Sequence, residues 1–450
     1  MIAKEIAPAL AQDQPEEVKH DSLCQARDHV TTGLAGLVAT DPTTQKTGAH
    51  EQAHQAVFQA MKEHVERVNK DTCDAGEENS FFVCDLGEVE RLLRYWRREL
   101  PRVQPYYAVK CNPDVRVLER LASLGVNFDC ASKAEIERVL QLGVAPERII
   151  YANPCKVCSV IRFAAARAVR QSTFDNVQEL YKIARFHPES QVLLRISTDD
   201  STAQCQLSAK YGCSPDEVDP LLAKVAELGL NLVGVSFHIG SGASDFSSLT
   251  QAVVDARRVF DRAAHFGLPA LRVLDVGGGF QFDTFHQSSA ILNAALDTHF
   301  PPGSGVELIA EPGRFLVATA FTLSSHVIAK LRLPERGSML YINDGIYANM
   351  NCILFDHYQP TPRVLYHAAA FHYFDTTSSK SRTAACPHRT SIWGPTCDGL
   401  DCITDEYYLR YDLAVGDWLY FANFGAYTSS AATPFNGFEA AVEVIYIDTA

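Results

Sequence analysis

Residues 105–113 read PYYAVKCNP. Tyr106, Tyr107, Ala108 and Val109 favour a strand, Lys110 closes the run, and Asn112-Pro113 is a turn signal. The stretch predicts a short strand over Tyr106 to Lys110. A lysine at such an end keeps its stem in the core and its amine at the rim. Desolvation there is expected to lower its pKa and leave the amine nucleophilic, able to form a Schiff base with an aldehyde. Alone, a strand-end lysine reads more simply as a snorkelling surface residue. Its neighbours change that reading.

The same unit recurs downstream: a short apolar strand ending in a polar residue or glycine, then an amphipathic helix. Strands are predicted at Tyr106–Lys110, Val126–Ser132, Ile149–Asn153, Ser172–Asp175, Val192–Ser197, Leu232–His238, Leu271–Gly277 and Val306–Glu311. Helices are predicted at Ala134–Leu142, Ser159–Val169, Val177–Phe186, Pro215–Leu228, Phe246–Phe266 and Ser288–Phe300. Eight such units over roughly 230 residues predict an α/β fold, a (β/α)8 TIM-type barrel. After about residue 318 the pattern turns to β segments separated by Gly, Asp, Asn and Pro: Phe321–Leu331, Ser338–Asn343, Val364–Tyr366, Asp417–Phe421 and Ala440–Ile447. The expected domains are therefore an extension over 1–79, partly disordered with one weak helical pattern at Gln55–Val68, the barrel over 80–318, and an all-β domain over 319–450. The strand Ser80–Asp85 is expected to join the β domain's sheet. Thr376–Thr390, rich in Ser, Thr and basic residues, is expected to be a mobile loop.

Composition narrows the class. With 450 residues the chain is too long for one ordinary core, and 47% hydrophobic with 21% charged residues suits a water-soluble protein. A formal net charge of −14 argues against nucleic acid or an anionic membrane as partner and favours attraction of small cations. The 13 cysteines follow no secretory pattern and are expected to be reduced thiols of a cytoplasmic protein. Cys155 and Cys158 form a C-x-x-C without a second ligand pair or a thioredoxin-like context, so they read as incidental thiols and no metal is expected.

In a barrel of this kind the C-terminal strand ends share one mouth. They bring together Lys110, Asp129, Arg195, His238 with Gly240 and Ser241, Asp275 with Gly277, Gly278 and Gly279, and Glu311 with Arg314. Three glycines after a late strand let backbone N–H groups cradle an anion, and an arginine fork suits phosphate. A Schiff-base lysine, a phosphate cradle, a histidine able to stack on a ring and a carboxylate to face a ring nitrogen together fit pyridoxal phosphate. Asp129 reads two ways: it orients the lysine or caps the next helix. In the β domain, Tyr347, Asp356, Cys397-Asp398 and Tyr427 lie in turn-rich runs, which suits either a surface or a distal ammonium site.

With these residues in hand, the sequence from about Ser80 to Ile447 resembles eukaryotic ornithine decarboxylase, whose fold is shared with alanine racemase. The motifs are YAVKCNP, FDCASKAEIE, IIYANPCK, VSFHIGSG, LDVGGGF, AEPGR, NCILFDH, SIWGPTCDGLD and FGAYTSSAATPFNGF. The resemblance implies a pyridoxal 5'-phosphate enzyme decarboxylating L-ornithine to putrescine in polyamine biosynthesis. Lys110 would carry the cofactor, His238 would stack on it and Glu311 would hold its ring nitrogen proton. Ser241, Gly277, Gly278, Gly279, Arg314 and Tyr427 would hold its phosphate, with Asp129 and Arg195 on the ring side. Asp356, Asp398 and Tyr347 would meet the substrate, and Cys397 would return a proton to Cα. In that family Cys397 and Asp398 come from the partner subunit, so a homodimer with shared sites is implied, and Lys210 and Asp401 match a pair across its interface. Antizyme is a further implied partner, through Arg162, Arg167, Arg170, Lys182 and Arg185; a basic helix face is also simply a solvated one.

The sequence departs from the family at several positions. Phe355 stands for a usual tyrosine, Gln206 for an arginine, Ala422 for a glutamate, Pro434 for a serine or threonine, and Ala348-Asn349-Met350 for a Gly-Ser-Phe-like run. No mammalian-type degradation tail is expected after Phe438. Two alternatives therefore stay open: a paralogue acting on lysine or a modified diamino acid, and a catalytically silent regulator like the antizyme inhibitors. Retention of Lys110, Asp129, His238, Glu311, Arg314 and Cys397 weighs against the second.

Overall fold

Capping side chains mark where several helices begin, and the barrel strands run between the helices. A computed structural model describes residues 47–450 apart from 70, 244, 336, 440 and 441, so the expected disorder before residue 47 lies outside the described residues. The first elements are α1 (Thr47–Arg67), β1 (Phe81–Asp85) and α2 (Leu86–Glu99). Asp85 caps α2 by accepting from Gly87 N at 2.9 Å. The helix buries Val89, Leu92, Leu93 and Trp96 on one face.

Eight parallel strands then close on themselves: β2 (Val103–Ala108), β3 (Asn127–Cys130), β4 (Ile149–Tyr151), β5 (Gln171–Phe174), β6 (Gln191–Arg195), β7 (Asn231–Ser236), β8 (Val273–Asp275) and β9 (Glu307–Ala310). β2 pairs with both β3 and β9, which completes the barrel. Tyr106, Ile150, Leu193, Val233, Val273 and Ile309 pack together as its filling. The surrounding helices are α3 (Val115–Ser123), α4 (Lys133–Gln141), α5 (Cys158–Ala166), α6 (Val177–Phe186), α7 (Pro215–Glu227), α8 (Ser247–His265) and α9 (Phe285–His299). Ser132 caps α4 and Asn176 caps α6. The TIM-type barrel expected from the repeat is therefore present, with a mostly β second region.

That region follows α10 (Arg314–Val317). It contains β10 (Phe321–Leu333), β11 (Gly337–Ile342), α11 (Cys352–Phe355), β12 (Arg363–His367), β13 (Ala370–Phe371), β14 (Ser378–Ser379), β15 (His388–Trp393), β16 (Cys402–Leu409), β17 (Trp418–Phe421) and β18 (Glu443–Ile447). The sheet order is β13-β12-β17-β10-β11-β15-β16-β14, and β1 joins it between β10 and β18. α1 packs on this sheet through Met61 and Val65, which cluster with Phe81, Val83 and Trp418, and Phe58 stacks on Tyr373 at 5.4 Å. Behind β18, Thr449 donates to Asp85 from its backbone N–H (3.1 Å) and its hydroxyl (2.6 Å).

Three expectations are corrected. The first barrel strand ends at Ala108, and Lys110 sits in a 3₁₀ turn over Val109–Cys111. Helix α3 was not anticipated, although Asp114 caps it at Val117 N (3.0 Å) and Val117, Leu118 and Leu121 form its buried face. The stretch 376–390 is partly held: β14 pairs with β16, and Cys386 is buried.

Candidate active site

The turn that ends β2 points Lys110 across to β3. Its Nζ donates to Asp129 Oδ2, while the side chain stays 44% accessible and the Asp129 side chain is fully enclosed. Ser132, not Asp129, caps α4, so the capping reading of Asp129 gives way to the orienting one. Burial acts to lower the lysine pKa, but Asp129, then Glu311 and Tyr427, outweigh it and hold the ammonium form above the ordinary lysine range. The expected lowered pKa is therefore corrected: at an open mouth lined with carboxylates, opposite charge wins over desolvation.

Two further acids lie at the ends of neighbouring strands. Asp275 ends β8, accepts Gly277 N at 2.9 Å through Oδ1, and faces the Glu311 carboxyl. Glu311 follows β9. Burial raises both carboxyls, most strongly Glu311, and Asp129 adds to each. Facing acids of this kind retain a proton between them. The sequence reading named Asp275 as a strand-end residue but gave it no role; the signal was its position immediately before the glycine run.

His238 lies after β7. Its Nδ1 accepts from Gly240 N at 3.0 Å, which fixes the proton on Nε2. Burial, then the charges of Arg195 and Lys110, push its pKa well below the usual histidine value, so the ring is neutral. Arg195 lies over Tyr211 at 5.3 Å and its charge also reaches Asp275 and Glu311.

The glycine run is imposed by close packing. Gly277 has φ +68°, and a Cβ there would lie 2.2 Å from Phe237 O; at Gly278 it would lie 2.8 Å from Glu311 O and 2.9 Å from His238 Nε2. Gly279 passes equally close to Gly240 O. Arg314, at the start of α10, donates through Nη2 to Asp356 at 2.6 Å and to Ser241 Oγ at 3.3 Å, and stacks over Tyr427 at 5.1 Å. Its Nε is buried without a hydrogen-bond partner among the described residues. Tyr427 adopts φ +55° and donates its N–H to Cys111 O at 2.9 Å, which ties it to the Lys110 turn.

Thus Lys110, Asp129, Arg195, His238, Ser241, Gly277, Gly278, Gly279, Glu311, Arg314, Tyr427 and Asp356 converge. The remaining expected site residues form a second group. Tyr347 donates its hydroxyl to Asp398 and stacks on Phe435 at 4.2 Å. Cys397 is exposed, and its N–H donates to Asn436 Oδ1 at 3.1 Å. None of these bonds reaches the barrel mouth. Lys210 lies over Tyr211 at 5.0 Å, and Asp401 is held by its own chain. It is 1% exposed and saturated within its own chain, accepting Ile346 N (2.8 Å), Thr396 N (3.0 Å) and Thr396 Oγ1 (2.6 Å). The basic residues of α5 and α6 are also engaged internally: Arg162 and Arg185 over Phe186, Arg167 over Phe163, and Lys182 with Glu179. Among the described residues no group of acids, histidines and cysteines could hold a metal ion, and no helix is long and apolar enough to cross a membrane.

An enclosed acid pair, a reachable amine and an arginine with a spare N–H form a site with one anion-binding end and one amine. Residues 86–318 match the family model described as the pyridoxal-binding domain of pyridoxal-dependent decarboxylases. The chain belongs to the pyridoxal-dependent decarboxylase family. It is 64% identical over 409 residues to ornithine decarboxylase of Saccharomyces cerevisiae, covering 89% of this chain and 88% of that one. It is 48% identical over 418 residues to the Neurospora crassa ornithine decarboxylase, covering 88% and 86%. Among solved structures it resembles the Paramecium bursaria Chlorella virus arginine decarboxylase bound to agmatine, with a TM-score of 0.78, 34% identity, and 88% and 100% coverage. Pyridoxal phosphate is the cofactor of the family, and the decarboxylase's mouth fits it: the unpartnered Arg314 Nε offers a donor to its phosphate, and protonated Glu311 offers a carboxyl to its ring.

Proposed function

We propose that this chain decarboxylates L-ornithine to putrescine and carbon dioxide. The observation that carries the reading is the Lys110 amine bonded to Asp129 and within reach of the charge of Glu311, which is coupled to Asp275. Pyridoxal phosphate, once bound, supplies an electron sink for the electron pair left at Cα when carbon dioxide departs. Lys110 is the amine that would hold it. Asp129 keeps that amine oriented and ready to shed or regain a proton at Nζ. Glu311 would share a proton with the cofactor's ring nitrogen, and Asp275 keeps a second carboxyl beside Glu311. Neutral His238 gives a flat, uncharged face for the ring to stack on. Arg314, Ser241, Tyr427 and the backbone of Gly277–Gly279 hold the phosphate.

At the substrate's far end, Asp356 is assigned to the distal ammonium, together with Asp398 and Tyr347. The partner subunit's Cys397 is assigned the return of a proton to Cα. Cys397, Asp398 and Tyr347 make contacts in the β region, with Asn436 and Phe435, which suits donation across a homodimer. Polyamine biosynthesis is the corresponding pathway. A cytoplasmic location is proposed because all twelve described cysteines are free. Antizyme is kept as a candidate partner on the basic residues of α5 and α6.

The test is carbon dioxide evolved from L-ornithine, L-lysine, L-arginine and larger diamino acids, with the Lys110→Ala variant as control. Ornithine should lead the panel and the variant should be inactive while folded. Turnover by Lys110→Ala, or a silent wild type carrying no lysine-bound chromophore, would reject the reading. Mixing Lys110→Ala with Cys397→Ala subunits should restore putrescine formation above that of either variant alone; no recovery would reject the shared dimer site.

A further inference from the structure

Arg314 and Asp356 belong to opposite ends of the site as proposed above, yet they are bonded to each other. Arg314 Nη2 lies 2.6 Å from the Asp356 carboxylate, and both side chains are largely enclosed, 15% and 10% exposed. The same nitrogen reaches Ser241 Oγ at 3.3 Å. Ser241 and Cys205 exchange backbone hydrogen bonds of 3.1 Å, and the Cys205 thiol lies 3.6 Å from Asp356 Oδ1. Four residues therefore form a closed ring: Arg314, Asp356, Cys205, Ser241. Two belong to the phosphate set and one to the ammonium set. Cys205 had no assigned role.

An enclosed guanidinium needs a counter-charge, and so does an enclosed carboxylate. In this ring each supplies the other's. A phosphate drawing on the Arg314 N–H groups takes over that neutralisation. Asp356 is then left with a negative charge beside a second anion, in a pocket that screens little. A cation at Asp356 relieves that repulsion. By linkage, the cation must tighten the phosphate to the same degree.

We propose that Asp356 is a counter-ion shared by the two ends of the site, so that an anion on Arg314 and a diammonium ligand on Asp356 strengthen each other's binding. This rests on the decarboxylase reading for what the two ligands are. It adds that the enzyme grips its cofactor's phosphate harder while a diamine or diamino acid is present. Cys205 is the positioning residue that keeps the Asp356 oxygen turned toward Arg314.

The experiment uses the full-length dimer stripped of cofactor, with inorganic phosphate as the anion and 1,4-diaminobutane as the cation, followed by titration calorimetry. Neither probe carries an aldehyde, so Lys110 chemistry does not intrude. Saturating diamine should tighten phosphate about tenfold, within the usual range of such coupling. Asp356→Asn should bind phosphate more tightly than wild type and lose the response to diamine. Ser241→Ala should bind phosphate more weakly but keep the response. Cys205→Ala should keep phosphate affinity while shrinking the response. A phosphate affinity unmoved by diamine in wild type overturns the proposal, even should a variant misfold. Weaker phosphate binding by Asp356→Asn also overturns it, because Asp356 would then merely hold Arg314 in place. In parallel, pyridoxal phosphate is added to the wild type and its lysine-bound absorbance recorded. Absorbance without coupling overturns the shared counter-ion alone; the absence of both overturns the decarboxylase reading as well.

Discussion

Lys156 offers a test of how this barrel tolerates a buried charge. It follows β4 in the run YANPCK, and its side chain is 1% exposed. Nζ donates to Asn153 O at 3.0 Å and Thr173 O at 2.5 Å, and lies 3.1 Å from Glu179 Oε1. Lys182 reaches the same carboxylate at 2.5 Å. Burial lowers the Lys156 pKa to about 8, against the opposing pull of Glu179 and with help from Lys182. Unfolding restores an ordinary lysine near 10.5. Between those limits the unfolded chain binds a proton that the folded chain does not, so stability rises with pH across the window and is lost as pH falls toward 8. The gap corresponds to on the order of 3 kcal/mol. The perturbation is Lys156→Met, which keeps the stem and removes the titration. Urea unfolding of both proteins, followed by circular dichroism from pH 8 to 10.5, gives the difference curve. Tyrosines and cysteines that titrate in the same range cancel between the two. Wild type minus variant should climb with pH by a few kcal/mol. A flat or falling difference would refute the reasoning, because Lys156 would then be no less basic inside than outside.

Gly278→Ala should weaken retention of pyridoxal phosphate, since the added methyl would sit under 3 Å from His238 Nε2 and Glu311 O; it should also cost about 1–3 kcal/mol in thermal or urea unfolding as an overpacked site. Undiminished cofactor binding would show that the run is merely a turn. His238 should stay neutral at the pH where an ordinary histidine is half protonated, because burial and two nearby cations lower its pKa; a ring-carbon NMR shift that titrates near 6.5 contradicts this. As pH drops through that depressed value, stability should fall. Asp401→Ala strands Ile346 N and Thr396 N, so it should lower stability by roughly 3 kcal/mol in urea unfolding; a change under 1 kcal/mol argues that Asp401 faces a partner instead. Cys397→Ala should shift product from amine toward aldehyde, measured by chromatography, and an unchanged ratio removes its assigned role.

All eight barrel strands were legible because each is an apolar run bounded by a polar or glycine residue. Their ends were less so. Lys110 reads as the last strand residue, yet pairing stops at Ala108, because strands splay where the mouth opens and the backbone turns to aim side chains inward. β15 and β16 were hidden for another reason. Cys402–Leu409 reads CITDEYYL: Ile403, Tyr407 and Leu409 are buried, but two acids occupy its centre and mask the alternation. The Lys110–Asp129 contact followed from topology. The Arg314–Asp356 bond did not, since 42 residues separate the two and nothing local links them. The sign of the lysine shift was misread for the same reason: a sequence shows that a group is buried more readily than which charges surround it.

The pairing of β1 with β18 has a bearing on how the molecule is made. During synthesis Phe81 leaves the ribosome early, and its parallel neighbour Glu443 emerges only after the entire barrel. The barrel strands can meet their own neighbours as they appear, whereas the sheet must wait with an unzipped border until translation is nearly done. Such distant pairing is slow to form and vulnerable while open. Assembly of the second region should accordingly be the late step, and a chaperone that shields Phe81–Val83 in the meantime would act where nascent chains are most at risk of sticking together.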